Sequence, residues 1–300
     1  MEENREVLKK PDWLRKKVEY SEERHGVKRI LHDLGLNTVC NHARCPNLSE
    51  CYSNKRATFM ILGNRCTRNC AFCAVDNIKN GQSFSLEKDE PERVCEAVKS
   101  LGLRYVVITS VTRDDLPDGG ALQFARSVAR IKEYDGSVKV EVLTPDFQGK
   151  RRSIDTVAKS APDVFNHNVE TVPRLYGQVR PRADYKRSIR FLQYLKTNYT
   201  ALLLKSGFMV GLGEERQEVL QLLSELRASG CDAVTIGQYL RPSRANIPVR
   251  EYVDPETFRY YENEAKKIGF LYVASGPYVR SSYMAHVGYE KLKDKVDRAS

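Results

Sequence analysis

From residue 56 onward the chain alternates two kinds of pattern, and that alternation leaves few folds open. Apolar, β-prone runs appear at "ATFMIL", "YVVITSV", "VKVEVL", "DVFNHNVE", "LLLKSGFMVGL" and "AVTIGQYL". Between them lie stretches such as "EPERVCEAVKSLG", "ALQFARSVARIKEY", "YKRSIRFLQYLKTNY" and "EERQEVLQLLSELRASG", whose apolar residues recur at helical spacing. Gly102 and Gly230 stand where two of these helices should stop. Strands that alternate with helices imply parallel βαβ units. Six such units predict a barrel, or part of one, with the chemistry on the loops that follow the strands. A doubly wound sheet is the rival, disfavoured because no glycine-rich phosphate turn follows the first strand.

We read residues 56–268 as the barrel, 1–55 as an amino-terminal extension and 269–300 as a carboxyl-terminal one. The last holds a seventh apolar run, "FLYVASGPYV", followed by "RSSYMAHVGYE". Both extensions are expected to pack on the barrel and not to form separate domains. No apolar run is long enough to cross a bilayer. The segment "MEENREVLKKPDWLRKK" has no apolar leader-like core, so the cytoplasm is the expected address. A net charge of +10, from 49 basic and 39 acidic residues, suggests an anionic partner. No run of interleaved basic and aromatic residues tracks a nucleic-acid backbone, so neither nucleic acid nor membrane is expected as that partner.

Six of the eight cysteines fall between residues 40 and 73, in two triads of different spacing. "CNHARCPNLSEC" carries Cys40, Cys45 and Cys51, and "NRCTRNCAFCAV" carries Cys66, Cys70 and Cys73. Cys95 and Cys231 sit in helix- and strand-like contexts and read as small core residues. Without a secretory signal, clustered cysteines argue for metal or redox chemistry over disulfides. Structural zinc draws on paired C-x2-C knuckles, and here only Cys70 and Cys73 have that spacing. His42 would complete a Cys3His set with the first triad, but the second triad has no nearby histidine. Ligand type and spacing together favour iron–sulfur. A Cys-x3-Cys-x2-Cys triad leaves one iron of a 4Fe–4S cluster without a protein thiolate, and an open position lets substrate bind.

This triad, on the loop after the first strand and with an aromatic residue, Phe72, just before its last cysteine, resembles the signature of the radical S-adenosylmethionine (SAM) superfamily. The resemblance implies a partial (β/α)6 TIM-like barrel with terminal extensions. It also implies that SAM chelates the open iron and is cleaved by one electron to a 5′-deoxyadenosyl radical, with the protein supplying position and electrostatics. The Cys-x4-Cys-x5-Cys triad upstream and "VRSSY" near the end make the chain similar to the lipoyl synthase family. "CPNLSEC", "VTRDDLPDGGA", "EVLTPDFQG", "FNHNVETV", "KSGFMVGLGE" and "GQYLRPS" extend that likeness over nearly the whole chain.

The family likeness implies a sulfurtransferase that inserts two sulfurs, at C6 and C8 of an octanoyl group held on a carrier-protein lysine. It implies two 4Fe–4S clusters. One, on Cys66, Cys70 and Cys73, cleaves SAM; the other, on Cys40, Cys45 and Cys51, donates sulfur. The fourth ligand of the donor is a serine of "RSSY", carried here to Ser282, with Ser281 the second choice. A hard alkoxide suits iron less well than thiolate and leaves on protonation, which befits a cluster meant to come apart. Asn166, His167, Asn168 and Glu170 are expected at the mouth of the fourth strand, where SAM contacts belong. Arg182, or Arg180, is expected on the SAM carboxylate. "GFMVGLG" is expected against the adenine, and Gly119 and Gly120 near the methionine amino group. Implied partners are octanoylated carriers (the glycine cleavage H protein and lipoyl domains of 2-oxoacid dehydrogenases), reduced ferredoxin or flavodoxin, and an iron–sulfur cluster carrier for repair.

Other classes compete. A two-cluster electron carrier needs four protein ligands per cluster and no barrel. A zinc protein that binds nucleic acid is motivated by charge alone. Biotin synthase-like and methylthiotransferase-like enzymes place their second-cluster ligands differently.

Overall fold

The computed structural model describes residues 8–16, 18, 20–78 and 85–299. Residues 1–7, 17, 19, 79–84 and 300 lie outside it, so part of the amino-terminal segment read above is not described. Among the described residues, seven strands form one all-parallel sheet in chain order. They are β1 (Thr58–Ile61), β2 (Tyr105–Ser110), β3 (Lys139–Leu143), β4 (Val164–Asn166), β5 (Leu203–Val210), β6 (Ala233–Gln238) and β7 (Tyr272–Gly276). β1 and β7 are the two edges, so the partial barrel is open between them.

The connecting helices are α2 (Glu90–Leu101), α3 (Ala121–Tyr134), α4 (Arg151–Ala158), α5 (Tyr185–Asn198), α6 (Arg216–Ala228) and α7 (Pro255–Ile268); α1 (Glu22–Asp33) precedes the sheet and α8 (Ala285–Ala299) ends the chain. Their ends follow local chemistry. Asp254 caps α7 ahead of Pro255, its carboxylate accepting the N–H groups of Glu256 and Thr257 at 2.8 and 2.9 Å. Gly102 (φ 63°) and Gly269 (φ 100°) end α2 and α7 in the left-handed region that favours glycine. Among the described residues no helix is long and apolar enough to cross a membrane.

The six expected strands are all present, and the seventh run adds to them. "FLYVASGPYV", assigned to the carboxyl extension, pairs with β6 from Ala233↔Tyr272 to Gly237↔Gly276. All six β6 residues are buried, and a buried edge there would leave its N–H and C=O groups unpaired.

Alternation along the strands divides the sheet into two faces. Phe59, Ile61, Val106, Ile108, Val140, Val142, Phe165, Leu204, Val234 and Ile236 are buried on the face that packs against the helices. The register places Glu141, Asn166, Lys205 and Thr235 together on the other face, with Gly207 and Gly237 among them. A closed barrel fills that face with branched apolar side chains. Here it is polar and buried, and the segment after β7 lies across it: a Cβ added at Gly237 would meet the Val279 carbonyl oxygen at 2.2 Å.

Candidate active site

The second cysteine triad rides the loop after β1, pinned from several sides. Arg65–Cys66 pairs with Asp76–Asn77 as a two-residue parallel ladder. Cys66 Sγ accepts the N–H groups of Arg68 and Thr112 at 3.4 and 3.3 Å, and Cys73 Sγ accepts that of Val75 at 3.4 Å. Such N–H···S contacts are what cluster thiolates receive. Arg68, between two of the cysteines, is buried and reaches Asp114 at 2.8 and 3.0 Å and Asp146 at 2.5 Å, tying the loop to the ends of β2 and β3. Asn246 Nδ2 donates to the Cys73 carbonyl at 2.8 Å, and Ala71 N–H to Val179 O at 2.9 Å. Phe72 is half-buried against the core. Burial pushes the Cys73 thiol up to about 12 and raises Cys70, opposed by the Val75 N–H and by Arg180 respectively. These sulfurs stay protonated until a cation compensates them, as a metal does.

Beyond β4 the chain continues to bond β5, with Val169 and Glu170 N–H groups both donating to Gly207 O at 3.1 and 3.0 Å. Glu170 stands at φ 68° with its carboxyl buried, which raises its pKa against the opposing pull of Arg180. Arg180 donates to the carbonyls of Asn168 and Val169 at 3.1 and 3.2 Å and to the Tyr176 hydroxyl at 2.9 Å, and its charge reaches Cys70. Arg182 is exposed and donates to Thr67 O at 2.9 Å, so it braces the cysteine loop; Arg180 is the buried one. His167 directly follows the last residue of β4, but its side chain faces away from the inner side of the sheet. Strand alternation turns it to the helix side, where Nδ1 donates to Thr144 O (2.9 Å) and Nε2 accepts from Ser188 (3.0 Å). Gly119 and Gly120 make the tight turn into α3 at φ 64° and 86°, with no room for a Cβ on Gly120 beneath Leu62 (2.2 Å).

The first triad lies at the opposite end of β1. Thr38 bridges antiparallel to Phe59, which lays the short helices Val39–His42 and Leu48–Ser53 beside that strand's start. Cys40, Cys45 and Cys51 line one cavity of about 580 Å³, together with Ser282. Burial, then the neighbouring thiols, pushes Cys40 up to about 11 and Cys51 to about 12. Thr58 presents its N–H and hydroxyl to Cys40, and its hydroxyl donates to Ser282 Oγ at 2.8 Å. Ser281 faces elsewhere: its Oγ accepts from Asn166 Nδ2 (2.7 Å) and donates to Asn168 Oδ1 (3.0 Å). His42 pairs with Asn37 Oδ1 at 3.1 Å. Among the described residues no three His, Cys, Asp or Glu groups converge on a single metal ion. A four-iron cluster does not require that, because each thiolate binds a different iron. Three thiols, one alkoxide source and a cavity with room fit such a cluster.

The carboxyl strap, the segment after β7, is zipped to the amino-terminal extension largely by residues of "CPNLSEC" and "VRSSY" that carry no assigned role. Asn47 Nδ2 donates to Tyr278 O (2.7 Å), Tyr283 donates to Glu50 Oε1 (2.8 Å), and Lys16 bonds both Asn47 and Glu50 (2.7 and 2.5 Å). Thr58, Arg68, Asn47 and Glu50 were invisible as site residues, since their partners are distant in sequence and only folding joins them.

The geometry can be set beside known proteins. The family model for the radical SAM superfamily matches residues 60–236. The lipoyl synthase of Caldanaerobacter subterraneus subsp. tengcongensis is 54% identical over 282 residues, covering 94% of this chain and 98% of that protein. The lipoyl synthase of Alkaliphilus metalliredigens is 50% identical over 96% of this chain and 98% of that protein. The chain belongs to the lipoyl synthase family. Solved radical SAM structures share the fold at low identity: methylornithine synthase at TM-score 0.54, 14% identity, 85% of this chain and 72% of that one, and Streptococcus suis SuiB bound to SAM at TM-score 0.54, 13% identity, 74% of this chain and 51% of that one.

As a lipoyl synthase the protein is a sulfurtransferase that uses SAM and 4Fe–4S clusters. It inserts sulfur at C6 and C8 of an octanoyl group carried on a protein, and takes that sulfur from an auxiliary cluster.

Proposed function

We propose that Cys66, Cys70 and Cys73 hold the SAM-cleaving cluster, and that Cys40, Cys45, Cys51 and Ser282 hold the sulfur donor. When bound, these groups supply the electron that cleaves SAM and the sulfur that is inserted. The observation that carries the assignment is Thr58, whose N–H and hydroxyl address Cys40 while its hydroxyl meets Ser282 at 2.8 Å. Ser282 thereby shares a cavity with all three cysteines of the first triad, whereas Ser281 is engaged by Asn166 and Asn168.

The chain's own residues divide the work along β1. Thr58 begins the strand and the second triad follows its end, which separates the two centres by roughly 10 Å of strand. Substrate carbons between them would face both hydrogen abstraction and sulfur capture. Arg180 and Glu170 make up the polar wall beside Cys70, and we assign them, with Asn168, to SAM recognition. Arg182 holds the loop through Thr67 O, and Phe72 packs behind the last cysteine. Gly119 and Gly120 let the turn after β2 approach closely. In this scheme residues 56–268 are the catalytic core, and the two flanking segments, 1–55 and 269–300, together build the donor site.

The carriers are taken to be octanoylated proteins such as the glycine cleavage H protein and the lipoyl domains of 2-oxoacid dehydrogenases. Reduced ferredoxin or flavodoxin would supply electrons, and an iron–sulfur carrier would rebuild the donor. The cytoplasm is the proposed location. The test compares Ser282→Ala with Ser281→Ala after reconstitution, by Mössbauer spectroscopy of the first-triad cluster in a Cys66/Cys70/Cys73→Ala background. Loss of the oxygen-ligated iron site in Ser282→Ala alone is the expected result. Its loss in Ser281→Ala alone would transfer the role.

A further inference from the structure

Two adjacent serines pose a problem of register. The strap from Pro277 to Met284 is built of turns, with Tyr283 N–H donating to Arg280 O at 3.0 Å, and a shift of one residue there exchanges which serine faces which wall. Something must hold Ser281 against the barrel if Ser282 is to face the first triad.

A buried polar network on the barrel's inner face meets that need. Lys205 Nζ lies 2.9 and 3.2 Å from the two Glu141 oxygens, with both side chains buried. Tyr105 donates to Glu141 Oε2 at 2.7 Å, and Asn166 Nδ2 donates to Oε1 at 2.7 Å. An ionised carboxylate only accepts, so it dictates which end of the Asn166 amide faces it. Flipping the amide would set Oδ1 against the carboxylate. In the observed orientation Oδ1 has no hydrogen-bond partner, so the donor end alone sets the geometry. The second Nδ2 hydrogen then goes to Ser281 Oγ at 2.7 Å, which sends the serine's own proton to Asn168 Oδ1 at 3.0 Å. Direction is fixed at every link, from the Lys205 cation to the Ser281 hydroxyl.

A buried ion pair contributes little net stability against an apolar substitute, which makes geometry the better account of its presence. We infer that Lys205 and Glu141 are positioning residues: by orienting Asn166 they hook Ser281 to the barrel wall and leave Ser282 as the serine presented to the first triad. This rests on the reading of Ser282 as cluster ligand, and it can fail separately.

The test uses the full chain and the double variant Glu141→Gln/Lys205→Met. It removes both charges together, so that neither is left buried alone, and keeps an amide that can pair with Asn166 in either direction. In cluster-free protein, amide exchange across residues 278–284 should rise about tenfold, the scale of a lost hydrogen bond to a charged group. The unfolding midpoint and exchange in β2 and β6 should hold. Lys205→Arg should retain most of the protection. In the Cys66/Cys70/Cys73→Ala background, chelator-driven iron loss from the remaining cluster should rise in the double variant. In Ser282→Ala it should rise as well, with strap exchange staying well below that of the double variant, because only the Thr58 bond is lost and the Asn166–Ser281 hook is kept. Unchanged strap exchange in the double variant overturns the anchor. Faster strap exchange with unchanged iron loss, in the double variant and in Ser282→Ala alike, supports the anchor and overturns Ser282 as ligand.

Discussion

The hydroxyl of Thr58 donates to Ser282 Oγ at 2.8 Å, across 224 positions of sequence. Thr58 opens the first strand, and Ser282 lies on the strap beyond the last, so this bond joins the two ends of an open sheet. Replacing Thr58 with Val keeps shape and removes the hydroxyl from both Ser282 and Cys40. Loss of one such bond is worth about 1 kcal/mol. Iron release from the first-triad cluster should quicken about fivefold, measured by chelation, with SAM cleavage unchanged. Equal release rates would mean that Thr58 only packs.

The second triad carries a separable prediction. Cys70 is the thiol on which the Arg180 charge acts, and it shares its loop with Cys66 and Cys73. Cys70→Ala should abolish 5′-deoxyadenosine formation while the first-triad cluster survives as remaining iron and sulfide. Wild-type deoxyadenosine release by this variant would remove the triad from SAM cleavage.

His167 ties acid stability to the barrel wall. Its buried ring is neutral, and burial and then the nearby Arg180 charge lower its pKa to about 4, from 6.5 for a free histidine. A base depressed in the folded state takes up its proton on unfolding, so this contribution is complete above pH 6.5 and is lost as pH falls toward 4. The loss amounts to about 3 kcal/mol at most. Denaturant titrations of cluster-free protein between pH 7 and 4 should show that slope, and His167→Gln should flatten it. A variant with the wild-type slope would place the acid sensitivity elsewhere.

Much of this was legible before folding. The triads needed no structure, because thiol spacing is local. Helix limits such as Ala121–Tyr134 coincide with the amphipathic stretch that predicts them. The seventh strand reads as an extension because "FLYVASGPYV" looks the same whether it caps a barrel or joins it; only the need to pair the buried edge of β6 decides. His167 misled because alternation assigns faces only once the strand's phase is known. Glu141 and Lys205 read as ordinary charges, sixty-four residues apart, until β3 and β5 bring them within 2.9 Å.

Carrier docking should be sensitive to salt. The first-triad cavity is bordered by Lys55, Arg56, Arg104 and Lys139 as well as Glu50 and Glu290, on a chain of net charge +10. Exposed charges steer association and are screened within about 10 Å at 0.1 M salt. Apparent affinity for an acidic octanoylated domain should fall from low to high salt, while activity on a short octanoyl-lysine peptide should change less. Equal dependence for both would mean that the charge serves solubility.

The sacrificial role of the first triad gives the sharpest separation of the two centres. Cys40, Cys45 and Cys51 border a cavity that Thr58, at the start of β1, also lines, and none of Cys66, Cys70 and Cys73 lines it. Replacing all three with Ala should therefore leave SAM cleavage intact, measured as 5′-deoxyadenosine. Hydrogen can still be taken from the octanoyl chain, but no sulfur lies within reach, so mass spectrometry of the carrier should show neither thiolated nor lipoylated product. Ser282→Ala should act more mildly, since three thiolates can hold a cluster whose opening is mistimed. Wild-type protein given no sulfide and no repair partner should stop near one lipoyl group per chain, because each product consumes its own donor. Many turnovers under those conditions would show that sulfur comes from solution, and lipoyl formation by the triple variant would take the first triad out of the chemistry.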